Sequence, residues 1–263
     1  MAHRIKKHSA FKTQGFVIRA LFKRQMITRF GKYKLGAIWM LIDPLMSVIV
    51  LGIILGPILG RSSGEIPYPF FLLCGFMQLM LVTNTMNSSA NALTSNQGLL
   101  VFRQVQPFDA FASRFLFELF SISFSLIVFC IIGAWAGIPI ASDQLIAFVG
   151  CILISWMLGC GLGLILGISS LKVSELEKVV TYAQRPLLFI SAILYPISAI
   201  PSQYREYLLW NPLVHTVEYS RNCLFHEYNA ANVNMLYPAF FALICLSLGM
   251  VTYRNNRHFL TQR

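Results

Sequence analysis

The chain has 263 residues, 56% of them apolar and only 12% charged, with a mean hydropathy of +0.64. So few charges cannot cover a soluble surface, and so many apolar side chains exceed what one core can bury, so lipid must supply part of the solvent. The net charge of +11 does not indicate nucleic acid, because the basic residues flank apolar runs and no aromatic-basic platform or DNA-binding motif accompanies them.

The first 42 residues carry ten Lys or Arg, and no Asp or Glu precedes Asp43. Cytoplasmic flanks of membrane proteins are enriched in Lys and Arg, which sets this N-terminus in the cytoplasm. At about 100° per residue, Phe11, Ile18, Leu21, Phe22 and Met26 share one arc, and Lys12, Arg19 and Lys23 the opposite one. Residues 1–34 therefore read as a cytoplasmic amphipathic helix lying in the interface, basic side chains toward anionic headgroups. A plain topogenic charge cluster is the alternative. Arg29 enters the apolar arc after Ile27, which predicts an end or turn near Gly31. The first long apolar run starts only near Leu35 and exceeds a signal-peptide core, so no signal peptide is expected.

The first span is predicted from Leu35 to Leu59 and the second from Phe70 to Leu93, separated by the Gly- and Pro-bearing turn Arg61–Pro69. A third span covers Phe108–Trp135 and a fourth Leu145–Leu171; the turn between them, Gly137–Gln144, holds no Lys or Arg. The fifth run, Pro186–Ile200, has only 15 residues. The mixed stretch Pro201–Asn234 that follows reads as re-entrant or interfacial helices, since irregular backbone facing lipid is not tolerated. The last span is Met235–Tyr253. Six crossings put 18 of the 21 basic residues on the cytoplasmic side and leave only Arg61, Arg205 and Arg221 outside. The expectation is an all-α polytopic membrane protein: residues 1–34 an interface helix, 35–253 a six-helix transmembrane domain, 254–263 a basic cytoplasmic tail.

No catalytic constellation emerges. His226-Glu227 lacks the second His of a zinc protease motif, and no GxSxG, paired-carboxylate or metal-ligand spacing is present. Gly159, Gly161, Gly163 and Gly167 lie inside an apolar helix without a following Gly-Lys-Ser/Thr, so they are not a phosphate loop. Two overlapping GxxxG pairs, Gly159 with Gly163 and Gly163 with Gly167, predict close helix packing instead. Gly31-Lys32 lacks the upstream Gly of a Walker A loop, so an ATPase driving transport would be a separate subunit. The six Cys show no CxxC spacing, and all but Cys223 fall inside apolar runs. Glu118 lies one turn beyond Arg114, which predicts a pair between them. Asp43 precedes Pro44, where the first span is expected to bend. Aromatics are abundant, 21 Phe, 10 Tyr and 4 Trp. Aromatic faces stack on sugar rings, but they also anchor at membrane interfaces and face lipid.

Blocks of sequence then become specific. Thr28–Leu45 (TRFGKYKLGAIWMLIDPL) resembles the approach to the first span in ABC-2 type permeases that export polysaccharides. Asn96–Pro107 (NQGLLVFRQVQP) resembles their cytoplasmic segment between spans two and three, and Tyr195–Pro201, Leu208–His215 and Glu218–Arg221 resemble their fifth-span exit and extracellular gate. The resemblance covers nearly the whole chain in order and is strongest to the inner-membrane permeases of group 2 capsular polysaccharide export, of the polysialic acid type.

This resemblance implies a complex of two copies of the permease and two of a cytoplasmic ABC ATPase, with ATP and Mg in the ATPase and no cofactor in this chain. Residues 96–106 would be the coupling helix, with Asn96, Gln97 and Arg103 as polar partners, Gly98 between them, and Leu99, Leu100 and Phe102 as apolar contacts. Lys172–Arg185, with Glu175, Glu177 and Lys178, would be a secondary contact. The substrate would be a lipid-linked acidic polysaccharide. Arg29, Lys32 and Lys34 would attract its linker or a lipid headgroup, or else serve topology alone. Pro201–Tyr228 would form gating helices at the periplasmic mouth, near the co-polymerase and outer-membrane proteins that receive the polymer. Trp39, Phe70, Phe71, Phe76, Tyr195, Tyr204, Tyr207 and Trp210 are the candidate conduit and gate aromatics. An exporter of O-antigen, teichoic acid or a small drug remains open. From other classes, so do an ion-coupled carrier, which lacks a chain of buried carboxylates here, and a membrane enzyme.

Overall fold

Long apolar runs in lipid must satisfy their backbone internally, and this chain does so with helices. The computed structural model describes residues 10–30, 38–59, 66–100, 102, 104–141, 143–173, 175–225, 227–230 and 233–261, with no strand among them. In order these are α1 Ala10–Phe30, α2 Trp39–Leu59, α3 Tyr68–Ala90, the short α4 Gln97–Leu100, α5 Pro107–Trp135, α6 Leu145–Ser169, α7 Leu176–Ile190, α8 Ser202–Leu209, α9 Pro212–Leu224 and α10 Leu236–Thr261. Five of the described helices, α2, α3, α5, α6 and α10, are long and apolar enough to cross a membrane.

Helix starts follow local chemistry. Pro107 opens α5, where the Gln106 amide N–H donates to Asp109 Oδ2 at 2.9 Å in a capping box. Pro212 opens α9 behind Asn211, whose Oδ1 accepts the Leu213 N–H at 3.0 Å. α1 is helical up to Phe30, and the expected stop near Gly31 lies outside the described residues. Its Ile18, Leu21, Phe22 and Met26 turn inward while Lys12, Arg19 and Lys23 stay exposed, as their two arcs predict.

The centre of the bundle is α3 against α6, with α10 on the other side of α6. Two-thirds of the apolar window of α3 is buried against only 11% for α2, so α3 is the inner helix and α2 a peripheral one. The glycines of α6 set this packing. A Cβ on Gly159 would lie 3.1 Å from Val82 Cα, one on Gly163 2.6 Å from Ser89 Oγ, and one on Gly167 2.6 Å from Ser89 O, all on α3. The two GxxxG pairs therefore form the α3 contact as expected.

The first turns of α1 and the latter part of α10 meet the start of α5 on one side of the bundle. Gln14 of α1 donates to Asp109 at the start of α5 (3.1 Å), and Phe108 meets Tyr253 of α10 with ring centroids 5.6 Å apart. Ser170, after α6, donates to Ala90 O at the end of α3 (3.4 Å). At the opposite end Tyr68 Oη donates to Leu194 O (2.9 Å), Ala141 N to Leu224 O (2.8 Å) and Tyr237 Oη to Trp210 O (2.7 Å).

The fifth run differs from its expected form. Its helix begins at Leu176, ten residues before Pro186, and ends at Ile190, so it takes in only the first third of the apolar run. Beyond it Ala192 takes φ 53°, and Pro196 forces its predecessor out of the helical region. At 1.5 Å per residue α7 covers only about 22 Å. It follows the end of α6 that meets Ala90, and the segment beyond it reaches Tyr68 at the α8 end. The expected tail after Tyr253 is likewise helical, since α10 runs on to Thr261.

Candidate functional site

Chemistry-bearing side chains collect at the two ends. At the α4 end, Arg24 of α1 donates from Nη1 to Asn96 Oδ1 (3.1 Å) and from Nη2 to Ser95 O (3.0 Å). Arg114 of α5 donates from Nη2 to Ser95 Oγ (2.7 Å), and its Nε–H meets the Gln25 carboxamide oxygen at 2.7 Å once that amide is turned to donate to Ser113 O. Two arginines from two helices thus grip the residues that lead into α4. Asn96 is buried and also donates to Ala92 O (2.6 Å), so it anchors the segment from inside. Phe102 is 61% exposed, Gly98 has open space around it, and Leu99 is half-buried. The side chains of Gln97 and Leu100, and Arg103 entirely, lie outside the described residues, as do Lys32 and Lys34.

The expected Arg114–Glu118 pair does not form. Glu118 is buried and pairs with Arg29 of α1, Nη1 to Oε1 at 2.9 Å. The packing of α1 on α5 brings Phe22 and Phe30 to Phe117, at 6.0 and 5.9 Å between centroids, and carries Arg29 over the same ring at 5.3 Å. Spacing within α5 could not reveal a partner 89 residues away. Beside this pair lies a pocket of about 360 Å³, lined from α3 by Asn84, Asn87, Ser88 and Asn91 and from α1 and α5 by Gln25, Arg29, Arg114 and Glu118. The polar stripe on α3 repeats at three- and four-residue spacing, a signal present in the sequence but hidden inside a run scored as apolar.

At the α8 end the EYSR block proves to be core. Arg221 is fully buried and sits over the Phe71 ring at 3.6 Å. It donates to Ala192 O (2.8 Å), Ile193 O (2.7 Å), Phe71 O (3.3 Å) and Glu218 Oε1 (2.9 Å). Glu218 also accepts Tyr228 Oη at 2.7 Å and the Ile197 N–H at 3.4 Å. Gly75 makes the room, since a Cβ there would lie 2.8 Å from Arg221 Nη2. Counting Arg221 as an outer-loop charge is therefore corrected: it is a neutralised interior residue that caps the carbonyls of the irregular segment after α7.

The aromatic candidates divide. Phe71 has no exposed surface and lies beneath Arg221. Phe76 is a half-buried packing residue, and Phe70 packs on Gly133. Tyr195 is half-buried and donates to Phe189 O at 2.6 Å. Tyr204, Tyr207 and Trp210 are well exposed, with Tyr207 and Trp210 edge to face at 6.3 Å, and Trp39 is exposed at the start of α2. These last four are the most exposed of the eight.

His215 ties α9 to both neighbours. Its Nε2–H donates to Leu209 O (2.9 Å) and its Nδ1 accepts the Asn234 N–H (3.2 Å), with Tyr237 edge-on at 5.3 Å. The bond that Nδ1 accepts requires the neutral ring, and burial pushes its pKa below the ordinary 6.5 against the opposing pull of the Leu209 carbonyl. Because the unfolded chain then takes up the proton first, this stability is complete above about pH 6.5 and is lost as the pH falls below it. The melting temperature of the detergent-purified protein is expected to drop between about pH 6.5 and 5, with a shallower drop in His215→Gln. An equal slope in both proteins would assign the pH dependence elsewhere.

Residues 17–225 match the family described as ABC-2 type transporter. The chain is 36% identical to the polysialic acid transport protein KpsM of Escherichia coli, over 94% of this chain and 95% of that protein. It is 26% identical to the capsule polysaccharide export inner-membrane protein BexB of Haemophilus influenzae, over 92% and 91% of the two chains. It is also 25% identical to the capsule polysaccharide export inner-membrane protein CtrC of Neisseria meningitidis, over 90% and 89%.

Proposed function

This chain belongs to the ABC-2 type transporter family, and we propose that it is the permease of an ATP-driven exporter carrying lipid-linked, acidic capsular polysaccharide out across the bacterial inner membrane. The observation that carries this reading is the similarity to polysialic acid and capsule export proteins over nearly the full length of both chains. The permease hydrolyses nothing. The α6 glycines that a phosphate loop would require are packed against helix backbone and side chains. ATP and Mg act in a separate cytoplasmic ATPase, two copies of which work with two copies of this chain. Both termini are cytoplasmic, a placement supported by the basic N-terminal segment and by the shared end of α1, α4 and the end of α10.

The geometry supports a mechanism. The exposed Phe102 and the open face at Gly98 give the ATPase an apolar contact on the α4 segment. Because Arg24 and Arg114 fasten Ser95 and Asn96 to α1 and α5, a push on α4 moves those helices rather than a loose loop. At the far side α8 and α9 form the mouth, where Tyr204, Tyr207 and Trp210 offer stacking surface to sugar rings and the co-polymerase and outer-membrane proteins receive the polymer.

Tagged permease is expected to co-purify in mild detergent with the ATPase encoded beside it, and Arg103→Glu or Phe102→Asp to weaken that complex about tenfold or more, as at an interface hot spot. A permease that transports without any ATPase would replace this reading with an ion-coupled carrier. Transport of O-antigen or a small drug by an intact complex would change the cargo and keep the mechanism.

A further inference from the structure

The pocket at the α4 end has a composition that membrane packing does not require. Asn84, Asn87 and Ser88 lie half-buried on one face of α3 with Asn91 exposed just past its end, and the carboxamides of the three Asn make no hydrogen bond with any described residue. Unpaired amides on a membrane helix are costly unless water or a ligand satisfies them. Opposite them stand Arg29 and Arg114 with a single carboxylate, Glu118, so the site carries a net positive charge. Glu118 engages one N–H of Arg29, and a guanidinium has five. The volume of about 360 Å³ falls in the range of small-ligand sites.

From these features we infer that the pocket between α1, α3 and α5 binds an anion flanked by hydroxyls, a phosphate or carboxylate on a glycerol or sugar unit, and reports its occupancy to α4 through Arg114. Arg29 and Arg114 meet the anion, while the Asn carboxamides, each both donor and acceptor, meet the hydroxyls. Arg114 is shared, since it lines the pocket and donates to Ser95 Oγ at 2.7 Å ahead of α4. An anion that draws on this guanidinium changes its hold on Ser95, so cargo binding and ATPase docking are linked through one side chain. The inference rests on the export reading for its link to an ATPase, whereas the binding site stands on the pocket alone.

The test uses the full chain in nanodiscs of neutral phosphatidylcholine, with and without the neighbouring ATPase, and radiolabelled glycerol 3-phosphate as the probe. Saturable binding is expected, with its Kd raised tenfold or more in Asn84→Leu/Asn87→Leu. That double substitution removes unpaired amides, so its melting temperature should not fall, which separates loss of the site from loss of the fold. A second arm adds phosphatidylglycerol to the disc. Competition with the soluble probe assigns the site to a lipid headgroup, and its absence assigns it to a soluble or glycan anion; either result supports the pocket. In the complex, bound probe should shift the ATPase rate, and Ser95→Ala should abolish that shift while leaving binding intact. Binding unaffected by the double substitution, or no binding of either probe, overturns the site. An unchanged shift in Ser95→Ala overturns the link. Failure to form any ATPase complex, with binding intact, counts against the export reading and not against the pocket.

Discussion

Replacing Arg221 with Met is expected to destabilise the protein by about 3–5 kcal/mol, the scale for stripping one partner from a buried ion pair. The guanidinium satisfies the carbonyls of Ala192, Ile193 and Phe71 as well as Glu218, and all of them are enclosed. With Met in its place Glu218 keeps its charge without a counterion, and the carbonyls of the segment after α7 lose their donors where no water can replace them. Arg221→Lys should fall between, because an ammonium can still meet Glu218 but cannot fork to two carbonyls while lying flat on Phe71. Adding Glu218→Gln to Arg221→Met should recover part of the loss, since no bare charge then remains. Melting temperatures of the four proteins in one detergent test this order. A wild-type melting temperature for Arg221→Met would show that the irregular segment after α7 holds without its cap.

That cap also marks the limit of what the sequence could say. Long apolar runs and the basic N-terminus sufficed for α2, α3, α5, α6 and α10, with bounds within a few residues for most ends, because length and hydropathy in lipid leave helices as the one solution. The arcs of α1 were equally legible, since helical period alone decides which side chains turn inward. The fifth run was not. Its helix starts among Lys178, Thr181 and Arg185, which hydropathy assigns to a loop, and its last part depends on an arginine 28 residues further on. A charge rule that counts Arg221 as a loop residue has no means of recognising a side chain folded back between helices. The same reasoning explains Glu118, whose true partner, Arg29, is supplied by a helix that only tertiary packing brings near. Of the candidate sites, the 96–106 segment was singled out by resemblance, and the burial of Asn96 and the amide stripe along α3 emerged only once three helices were seen together.

Gly161 shows how sharply the packing is set, and substitution there should have the next largest effect. Its neighbours in the GxxxG pairs face α3, but Gly161 faces α10, and a Cβ on it would lie 2.5 Å from both Cys245 C and Leu246 N. Gly249 answers from α10, where a Cβ would lie 2.8 Å from Gly161 O. The obstacle is backbone on both sides, so no side chain can swing away, and the helices themselves must separate. Gly161→Ala gains about 1 kcal/mol in helix propensity, yet the overpacking it causes costs about 1–3 kcal/mol or more, so the net sign is destabilising. Gly161→Leu is expected to leave little monodisperse protein on size exclusion in detergent. Gly150 supplies the control within the same helix: nothing lies within 4 Å of its added Cβ, so Gly150→Ala should be neutral or stabilising by up to about 1 kcal/mol. If both alanine variants melt together with wild type, α6 and α10 can part without cost and the close crossing does not hold the bundle. If Gly161→Ala falls while Gly150→Ala holds, backbone contact and not helix propensity sets the stability of α6, as expected where lipid removes the hydrophobic drive between helices and leaves packing to act alone.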